Sequence, residues 1–188
     1  EIGSGLVGSE MCIRDRDHGI NLSRGFQEVE KKLDTLADKD IGTILKTVGM
    51  TLVSTVGGAS GPLYGTAFMK AGQLMAGKDA VDINDFVEIL RVSIEGVKMR
   101  GKSTTGEKTM LDAMVPALAA MEGALKAAKD PKEILLEGVE AAEDGVAYTK
   151  TIIATKGRAS YLGERSIGHQ DPGATSFTLM LSVIAKSL

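Results

Sequence analysis

The sequence predicts an all-α protein, an up-and-down antiparallel barrel or bundle of about seven to eight helices. Along most of the 188 residues, apolar side chains recur at steps of three and four, which is the period of an amphipathic helix. Aspartate and proline stand where helices should begin, and glycine stands where they should end. Strand-like alternation of polar and apolar residues appears nowhere over a useful length.

Four helices are predicted in the first half, at 26–36, 41–56, 63–75 and from a cap at 82–84 to 100–101. Asp40 caps the second helix, and Gly57 begins the glycine pair that ends it. Pro62 suits the first turn of the third helix. Either Asp82 or Asn84 caps the fourth.

The second half predicts three further helical stretches, at 110–128, from Asp130 to about 153, and from Pro172 onward. Pro116 should kink the first of these or start it afresh, because proline lacks the N–H of the helical ladder. The stretch 156–171 has no apolar period and is predicted to be a long polar loop. Loops of that length within a domain are often functional.

Composition excludes several classes of function. The net charge is −3, with 22 basic and 25 acidic residues, so no basic surface for nucleic acid or an anionic membrane is expected. Aromatic residues make up only 4% of the chain, which disfavours base stacking, and no apolar run reaches the length of a membrane span. The single cysteine, Cys12, cannot form an internal disulfide and indicates a reducing cytoplasm.

The first thirteen residues lack a helical period and the features of a signal peptide. We expect segment 1–13 to be non-native or disordered, and 14–188 to form a single domain.

A dense polar cluster follows this segment. Two carboxylates, an imidazole and a carboxamide occur within seven residues, in Asp15, Asp17, His18 and Asn21. Mg²⁺ takes one or two carboxylates and completes its shell with water and phosphate oxygens. The cluster therefore suits a metal that holds a phosphate, although an exposed acidic turn has the same composition.

The run 57–61 reads Gly-Gly-Ala-Ser-Gly and precedes Pro62 at a predicted helix start. Glycine is used wherever φ must be positive, so a tight turn explains it. A glycine-rich turn that leads into a helix can also hold phosphate through backbone N–H groups. The Lys-Ser/Thr ending of a P-loop is missing.

Other polar side chains have an ordinary explanation beside a functional one. For Lys102 and Lys108, solvation is favoured over phosphate contact, and for His169 a structural hydrogen bond is favoured over a role as a base. Arg158 suits phosphate because a guanidinium offers forked donors. Arg165 could equally pair with Glu164 or Asp171.

Together these residues resemble the nucleotide-binding L subunit of dihydroxyacetone kinase over almost all of 15–188. The resemblance rests on Asp-x-Asp-His-Gly-x-Asn at 15–21, Gly-Met-Thr-Leu-Val-Ser-Thr-Val-Gly-Gly-Ala-Ser-Gly-Pro at 49–62, Arg-Gly-Lys…Gly-Glu-Lys-Thr-Met at 100–110, and Lys-Gly-Arg-Ala-Ser-Tyr-Leu-Gly-Glu-Arg-Ser-Ile-Gly-His-Gln-Asp-Pro-Gly-Ala at 156–174. It implies an antiparallel barrel of eight helices with ADP or ATP bound at one end.

The resemblance also implies roles for individual residues. Asp15 and Asp17 would ligate two Mg²⁺ ions that bridge the diphosphate, and Arg158 would reach the nucleotide and counter charge on the transferred phosphoryl group. No other catalytic residue is assigned. The remaining nucleotide contacts would be His18 and Asn21 lining the site, Ala59 and Ser60 at the phosphates, Gly101 and Met110 at the adenine, and Asp171, Pro172 and Gly173 closing the pocket.

The start of the chain departs from the family pattern. Glu10 stands at the place of a third metal-binding aspartate, and Arg14 and Arg16 stand where the family has glycine and a small residue. The family's leading helix is also missing. Two arginines beside the ions would oppose cation binding by like-charge repulsion, so we expect the N-terminus, altered or truncated, to weaken binding of the Mg²⁺-nucleotide.

The resemblance implies a phosphotransferase that acts only with partner subunits. Bound ADP would accept a phosphoryl group from a phosphohistidine M subunit and pass it to dihydroxyacetone on a K subunit. Two alternatives stay open: the L domain of a kinase with exchangeable ATP, and a non-catalytic nucleotide-binding partner of a transcription regulator. A homodimer stays open as well.

Overall fold

The computed structural model describes the backbone of residues 10–188 and the side chains of residues 17–188; residues 1–9 lie outside the described part. Seven α-helices are present in this part: α1 (Glu10–Leu33), α2 (Ile41–Thr55), α3 (Ser60–Leu74), α4 (Ile83–Gly101), α5 (Leu111–Lys126), α6 (Pro131–Thr149) and α7 (Pro172–Ser187). No strand occurs in residues 10–188. The all-α prediction is therefore confirmed.

The helices form two compact units, Ile13–Lys102 and Ser103–Leu188. In the first unit, α2 packs on α3 and α3 packs on α4; in the second, α5 packs on α6 and both pack on α7. Consecutive helices from α2 to α4, and from α5 to α7, are thus spatial neighbours. No helix of the described residues is long and apolar enough to cross a membrane.

Glycines bring α2 and α3 unusually close together. A Cβ added at Gly49 would meet the carbonyl oxygen of Gly65, and one added at Gly65 would meet the carbonyl oxygen of Gly49. The same reciprocal relationship holds between Gly42 and Gly72, one heptad further from the loop that joins the two helices. The two backbones therefore touch at two levels, which fixes the position of α3 and of the glycine loop before it.

Aspartate side chains begin most of the helices, as the sequence predicts. Asp40 accepts a hydrogen bond from the backbone N–H of Thr43 at 3.1 Å, and its carboxylate also accepts the N–H of Gly77, beyond the end of α3, at 3.0 Å. The hydrogen bond from the Thr43 hydroxyl, together with those backbone donors, lowers the pKa of Asp40 to about 2. Asp82 and Asp130 form capping boxes with Asp85 and Glu133.

Helix α5 continues through Pro116, so the prediction that a new helix starts there is wrong. Proline cannot donate to the carbonyl of Asp112, four residues earlier. In the second unit, Gly145 of α6 lies against this carbonyl so closely that a Cβ would collide with it. The close packing of α6 on this turn explains why the helix continues where the sequence indicates a break.

Other boundaries also differ from the sequence-based ones. Helix α1 begins at Glu10 rather than near Phe26, so the polar cluster at 15–21, which the sequence places before the first helix, lies within a helix. Helix α6 ends at Thr149 rather than near Ile153. The stretch Arg158–Ser166, expected to lack structure, forms 3₁₀ turns with a kink at Gly163. The expectation for segment 1–13 falls largely on residues 1–9, outside the described part.

Candidate functional site

Within the first unit, the polar cluster of α1 meets the glycine loop before α3. The hydroxyl of Ser60 and Nδ1 of His18 share a hydrogen bond of 2.9 Å across 42 residues of sequence. Asn21 lies one turn along α1 from His18, and its carboxamide lies 3.6 Å from the position of a Cβ built on Gly57. Two stretches that were singled out independently by their composition therefore come together.

The glycine loop has the geometry of an anion-binding turn. Gly58 has φ of +72°, a conformation that favours glycine, and a Cβ there would meet no neighbouring atom. Ala59 stands at the N-cap of α3, and its side chain makes no capping hydrogen bond to this helix start. Backbone N–H groups at a helix start carry partial positive charge and lack intrahelical acceptors. The residues of this loop therefore fit a phosphate group.

Arg24 is a member of this cluster that the sequence did not reveal. Its guanidinium donates hydrogen bonds to Oδ1 of Asn21 at 3.1 Å and to the carbonyl of Thr55 at 3.4 Å. The arginine thereby connects α1 to the end of α2 and fixes the orientation of the Asn21 carboxamide. The spacing of three residues between Asn21 and Arg24 is the only local signal of this contact.

Of the three expected metal ligands, Asp17 is described and is exposed on α1. The side chains of Glu10 and Asp15 lie outside the described part of the chain. No group of three or more His, Cys, Asp and Glu side chains forms a metal cluster among residues 17–188. Mg²⁺ bound with a nucleotide needs only one or two carboxylates, because phosphate and water supply the other oxygens, so Asp17 fits such an ion.

The second unit brings together another part of the expected site. A Cβ built on Gly173 would lie 3.1 Å from Cβ of Met110, so the start of α7 packs directly on the residue before α5. Asp171 caps α7 by accepting the N–H of Ala174 at 2.8 Å. Met110, Pro172 and Gly173 are buried, and Asp171 is half-buried.

Lys108 is buried, and the prediction of a solvated lysine at this position is wrong. Only 2% of the residue is exposed. Its ammonium group donates hydrogen bonds to backbone carbonyls of the second unit, those of Thr149, Ile152, Ser166 and His169. Burying an ammonium group is costly unless its N–H donors are satisfied, and these carbonyls satisfy them.

A buried carboxylate orders the same loop. Asp112 accepts the backbone N–H of Gly106 at 2.5 Å and that of Thr109 at 2.7 Å. The polar stretch before α5 is therefore held in one conformation from within, although its composition predicts a simple solvent-exposed loop.

The three remaining candidates are exposed or half-buried. Arg158 is exposed at the start of the 3₁₀ segment, next to Lys156, whose ammonium lies 3.5 Å from the carboxylate of Glu107. Gly101 is the last residue of α4 in the first unit and is half-buried. His169 contributes its backbone carbonyl to the Lys108 ammonium, at 2.5 Å.

Comparison with known proteins gives a consistent result. Residues 12–186 match the DAK2 domain. The chain is 46% identical, over 180 residues, to the PEP-dependent dihydroxyacetone kinase ADP-binding subunit DhaL of Escherichia coli (strain K12), covering 96% of this chain and 86% of that protein. It is 45% identical, over 185 residues, to the ADP-binding subunit DhaL of PEP-dependent dihydroxyacetone kinase 2 of Listeria innocua, covering 97% of this chain and 85% of that protein.

A solved structure shares the fold as well. The dihydroxyacetone kinase of C. freundii in complex with AMP-PNP and Mg²⁺ superposes with a TM-score of 0.66 at 25% identity. The match covers 93% of this chain but 28% of that one. The chain therefore matches most of the length of the separate bacterial subunits and one part of the longer kinase.

Proposed function

Because the chain belongs to the DAK2 domain family, we propose that it is the ADP-binding subunit of a dihydroxyacetone kinase. It works in the cytoplasm with a K subunit that holds dihydroxyacetone and with an M subunit that carries phosphohistidine. When bound, ADP accepts a phosphoryl group from the M subunit and, as ATP, gives it to dihydroxyacetone. The similarity along most of the length of the two bacterial DhaL subunits supports this form.

The contact between Ser60 and His18 is the observation that carries the proposal. It places a hydroxyl and an imidazole beside the N-terminus of α3, where Gly58 leaves open space next to the backbone. Phosphate oxygens accept hydrogen bonds from such backbone N–H groups. In the proposal, Ala59 and Ser60 bind the phosphates, and His18 and Asn21 orient them.

Two Mg²⁺ ions accompany the nucleotide in the proposal, with Asp15 and Asp17 as their protein ligands and Glu10 as a weaker third. Metal ions offset the charge that spreads over a phosphoryl group during transfer. The exposed position of Asp17 on α1 supports this role, because it leaves the carboxylate accessible to an ion.

Residues of the second unit complete the proposed set of nucleotide contacts. In the proposal, Met110 borders the adenine, and Asp171, Pro172 and Gly173 close the pocket; Gly101, at the end of α4 in the first unit, is assigned to the adenine by the resemblance alone. Direct packing of Gly173 on Met110 supports the assignment of both to one function. Arg158 supplies positive charge to the phosphoryl group, and its exposure leaves the guanidinium accessible.

A second function is favoured by the C. freundii kinase, whose longer chain was solved with AMP-PNP and Mg²⁺. Under this alternative the chain uses exchangeable ATP and needs no phosphohistidine donor. Retention of nucleotide distinguishes the two functions, because a bound cofactor remains with the protein while a substrate exchanges at every turnover.

The chain can be mixed with a K subunit and dihydroxyacetone, and formation of dihydroxyacetone phosphate measured with each phosphoryl donor. We expect product with phosphorylated M subunit and catalytic ADP, and little product with ATP alone. Product from ATP alone at the higher rate supports the alternative. A chain that binds no ADP in calorimetry with Mg²⁺ contradicts both functions. The variant Asp17→Asn should lose the Mg²⁺ dependence of ADP binding, whereas Asp144→Asn on α6 should retain it.

A further inference from the structure

Lys108 places a positive charge inside the second unit, close to proposed nucleotide contacts. Its Nζ lies 2.5 Å from the carbonyl oxygens of Thr149 and His169 and 2.7 Å from that of Ser166, with the Ile152 carbonyl at 3.3 Å. These acceptors come from the end of α6 and the turn after it, and from the end of the 3₁₀ segment and the loop after it. One ammonium group therefore holds two separate chain segments against the loop before α5.

The backbone of Lys108 is in the left-handed region, with φ of +59°. That conformation is unfavourable for a residue with a side chain, and it persists only where the surrounding structure enforces it. Here the hydrogen bonds of the ammonium group enforce it. The strained backbone of this buried residue is therefore tied to the chain segments that its ammonium group contacts.

Thr149 connects Lys108 to the start of α7. Its carbonyl accepts a hydrogen bond from the lysine, and its hydroxyl accepts the backbone N–H of Asp171 at 2.9 Å. Gly168 adds a second link, because its N–H donates to the carbonyl of Lys150 at 2.7 Å. The segment that leads into Asp171 is thus attached to the residues that surround the ammonium.

We propose that Lys108 is a positioning residue for nucleotide binding, a built-in cation that holds the start of α7 and Met110 in their binding conformation. The ammonium does for these backbone carbonyls what a bound monovalent cation does in other proteins. Its influence reaches the nucleotide through Thr149 and Asp171. This inference rests on the proposed function, and its test therefore includes a measurement that needs no nucleotide.

The variant Lys108→Met keeps the length of the side chain and removes the charge and its donors, while Lys132→Met makes the same change at an exposed position of α6. In Lys108→Met, we expect the amide hydrogens of Gly168 and Asp171 to exchange at least about tenfold faster, because their acceptors lose their fixed position. ADP affinity should fall by about tenfold. Lys132→Met should match the unaltered chain in both measurements.

Chemical rescue separates a cation role from simple space filling. Lys108→Gly relieves the backbone strain and leaves room for a small cation at the carbonyls. Methylammonium at millimolar concentration should restore slow amide exchange at Gly168 and Asp171, as well as ADP affinity. Tetramethylammonium at equal ionic strength should restore neither, since it has no N–H donor. If the two ions have equal effects, or if neither ion has an effect, the cation role is contradicted.

If both Lys108 variants fail to fold, Thr149→Val provides the decisive measurement. This variant keeps the carbonyl that Lys108 needs and removes the hydroxyl that binds the Asp171 N–H. Faster exchange at Asp171 with weaker ADP binding supports the proposed connection, and unchanged values in both overturn it. If the unaltered chain binds no ADP, the proposed function fails, while the exchange measurements still decide the role of Lys108 in holding the segment.

Discussion

The hydroxyl of Ser60 and the imidazole of His18 share a hydrogen bond that joins the first turn of α3 to α1. Ser60 is the first residue of α3, at the same place where the backbone N–H groups are available to a ligand. When Nδ1 of His18 carries the proton and donates to Ser60, the single hydroxyl hydrogen of Ser60 is left to donate to a phosphate. This double role makes Ser60 a sensitive position for testing nucleotide binding.

Ser60→Ala removes the hydroxyl and leaves His18 without this partner. We expect the dissociation constant for Mg²⁺-ADP to rise by about tenfold, in line with the loss of one hydrogen bond to a charged ligand. Isothermal titration calorimetry measures the change. Ser54→Ala, which removes an exposed hydroxyl near the end of α2, is the matched control. Equal affinities of the two variants would exclude a phosphate contact by Ser60.

Gly65→Ala should destabilise the protein by about 2 kcal/mol, because the added methyl group meets the Gly49 carbonyl and Val53 and forces α2 and α3 apart. Chemical denaturation provides the free energy of unfolding. Gly123→Ala is the opposite case: nothing lies within 4 Å of a Cβ at this position of α5. That substitution should stabilise the protein by about 0.5–1 kcal/mol, since alanine favours helix. A Gly65→Ala variant as stable as the parent would contradict the close approach of the helices.

The lowered pKa of Asp40 predicts how the stability of the folded protein changes with pH. Its pKa in the folded protein is about 2, below the ordinary value of 3.8, because the Thr43 hydroxyl and backbone N–H groups stabilise the charged form. The stabilisation is complete above about pH 4 and is lost as the pH falls through about 2. The unfolding temperature of Asp40→Asn should differ most from that of the unaltered protein at neutral pH and least near pH 2. A difference in unfolding temperature that grows toward pH 2 would contradict this prediction. Asp144→Asn controls for removal of an exposed carboxylate.

Changes at the start of the chain should strengthen binding of the metal. The double variant Glu10→Asp with Arg14→Gly restores the residue types of the family pattern and removes one positive charge near the proposed ions. We expect tighter binding of ADP in the presence of Mg²⁺ and little change in its absence. Calorimetry with and without Mg²⁺ measures both. An affinity that stays the same with Mg²⁺ would mean that these positions do not affect the site.

Local signals predicted the fold class and most helix starts. Asp40, Asp130 and Pro172 mark their helices because capping and the preference for proline in the first turn act within a few residues. Two features depend on distant residues instead, namely the continuation of α5 through Pro116 and the end of α6 at Thr149. Gly145 of α6 packs on the turn at Pro116, and the carbonyls beyond Thr149 turn toward Lys108. No pattern in the neighbouring sequence carries that information.

The candidate site was predictable as a set of residues but not as an arrangement. Resemblance to a family singled out His18 and Ser60 without indicating that they bond to each other. It missed Arg24, whose acceptors are one turn away and 31 residues away. The local sequence around Lys108 wrongly indicated a solvated lysine, because the acceptors of its ammonium group lie 41–61 residues further along the chain. The roles assigned to individual residues stay predictions until the variants above are measured.

The two glycine pairs of α2 and α3 have a consequence for how this hairpin can assemble. The two backbones can touch only because all four of these positions are glycine. If one helix moved along the other by a single residue, side chains would collide with the backbone of the neighbouring helix. The two helices of this hairpin can therefore pack in one register only. That single register sets the position of the turn at 57–60, so the position of the proposed phosphate-binding loop depends on glycines up to four helical turns away from it.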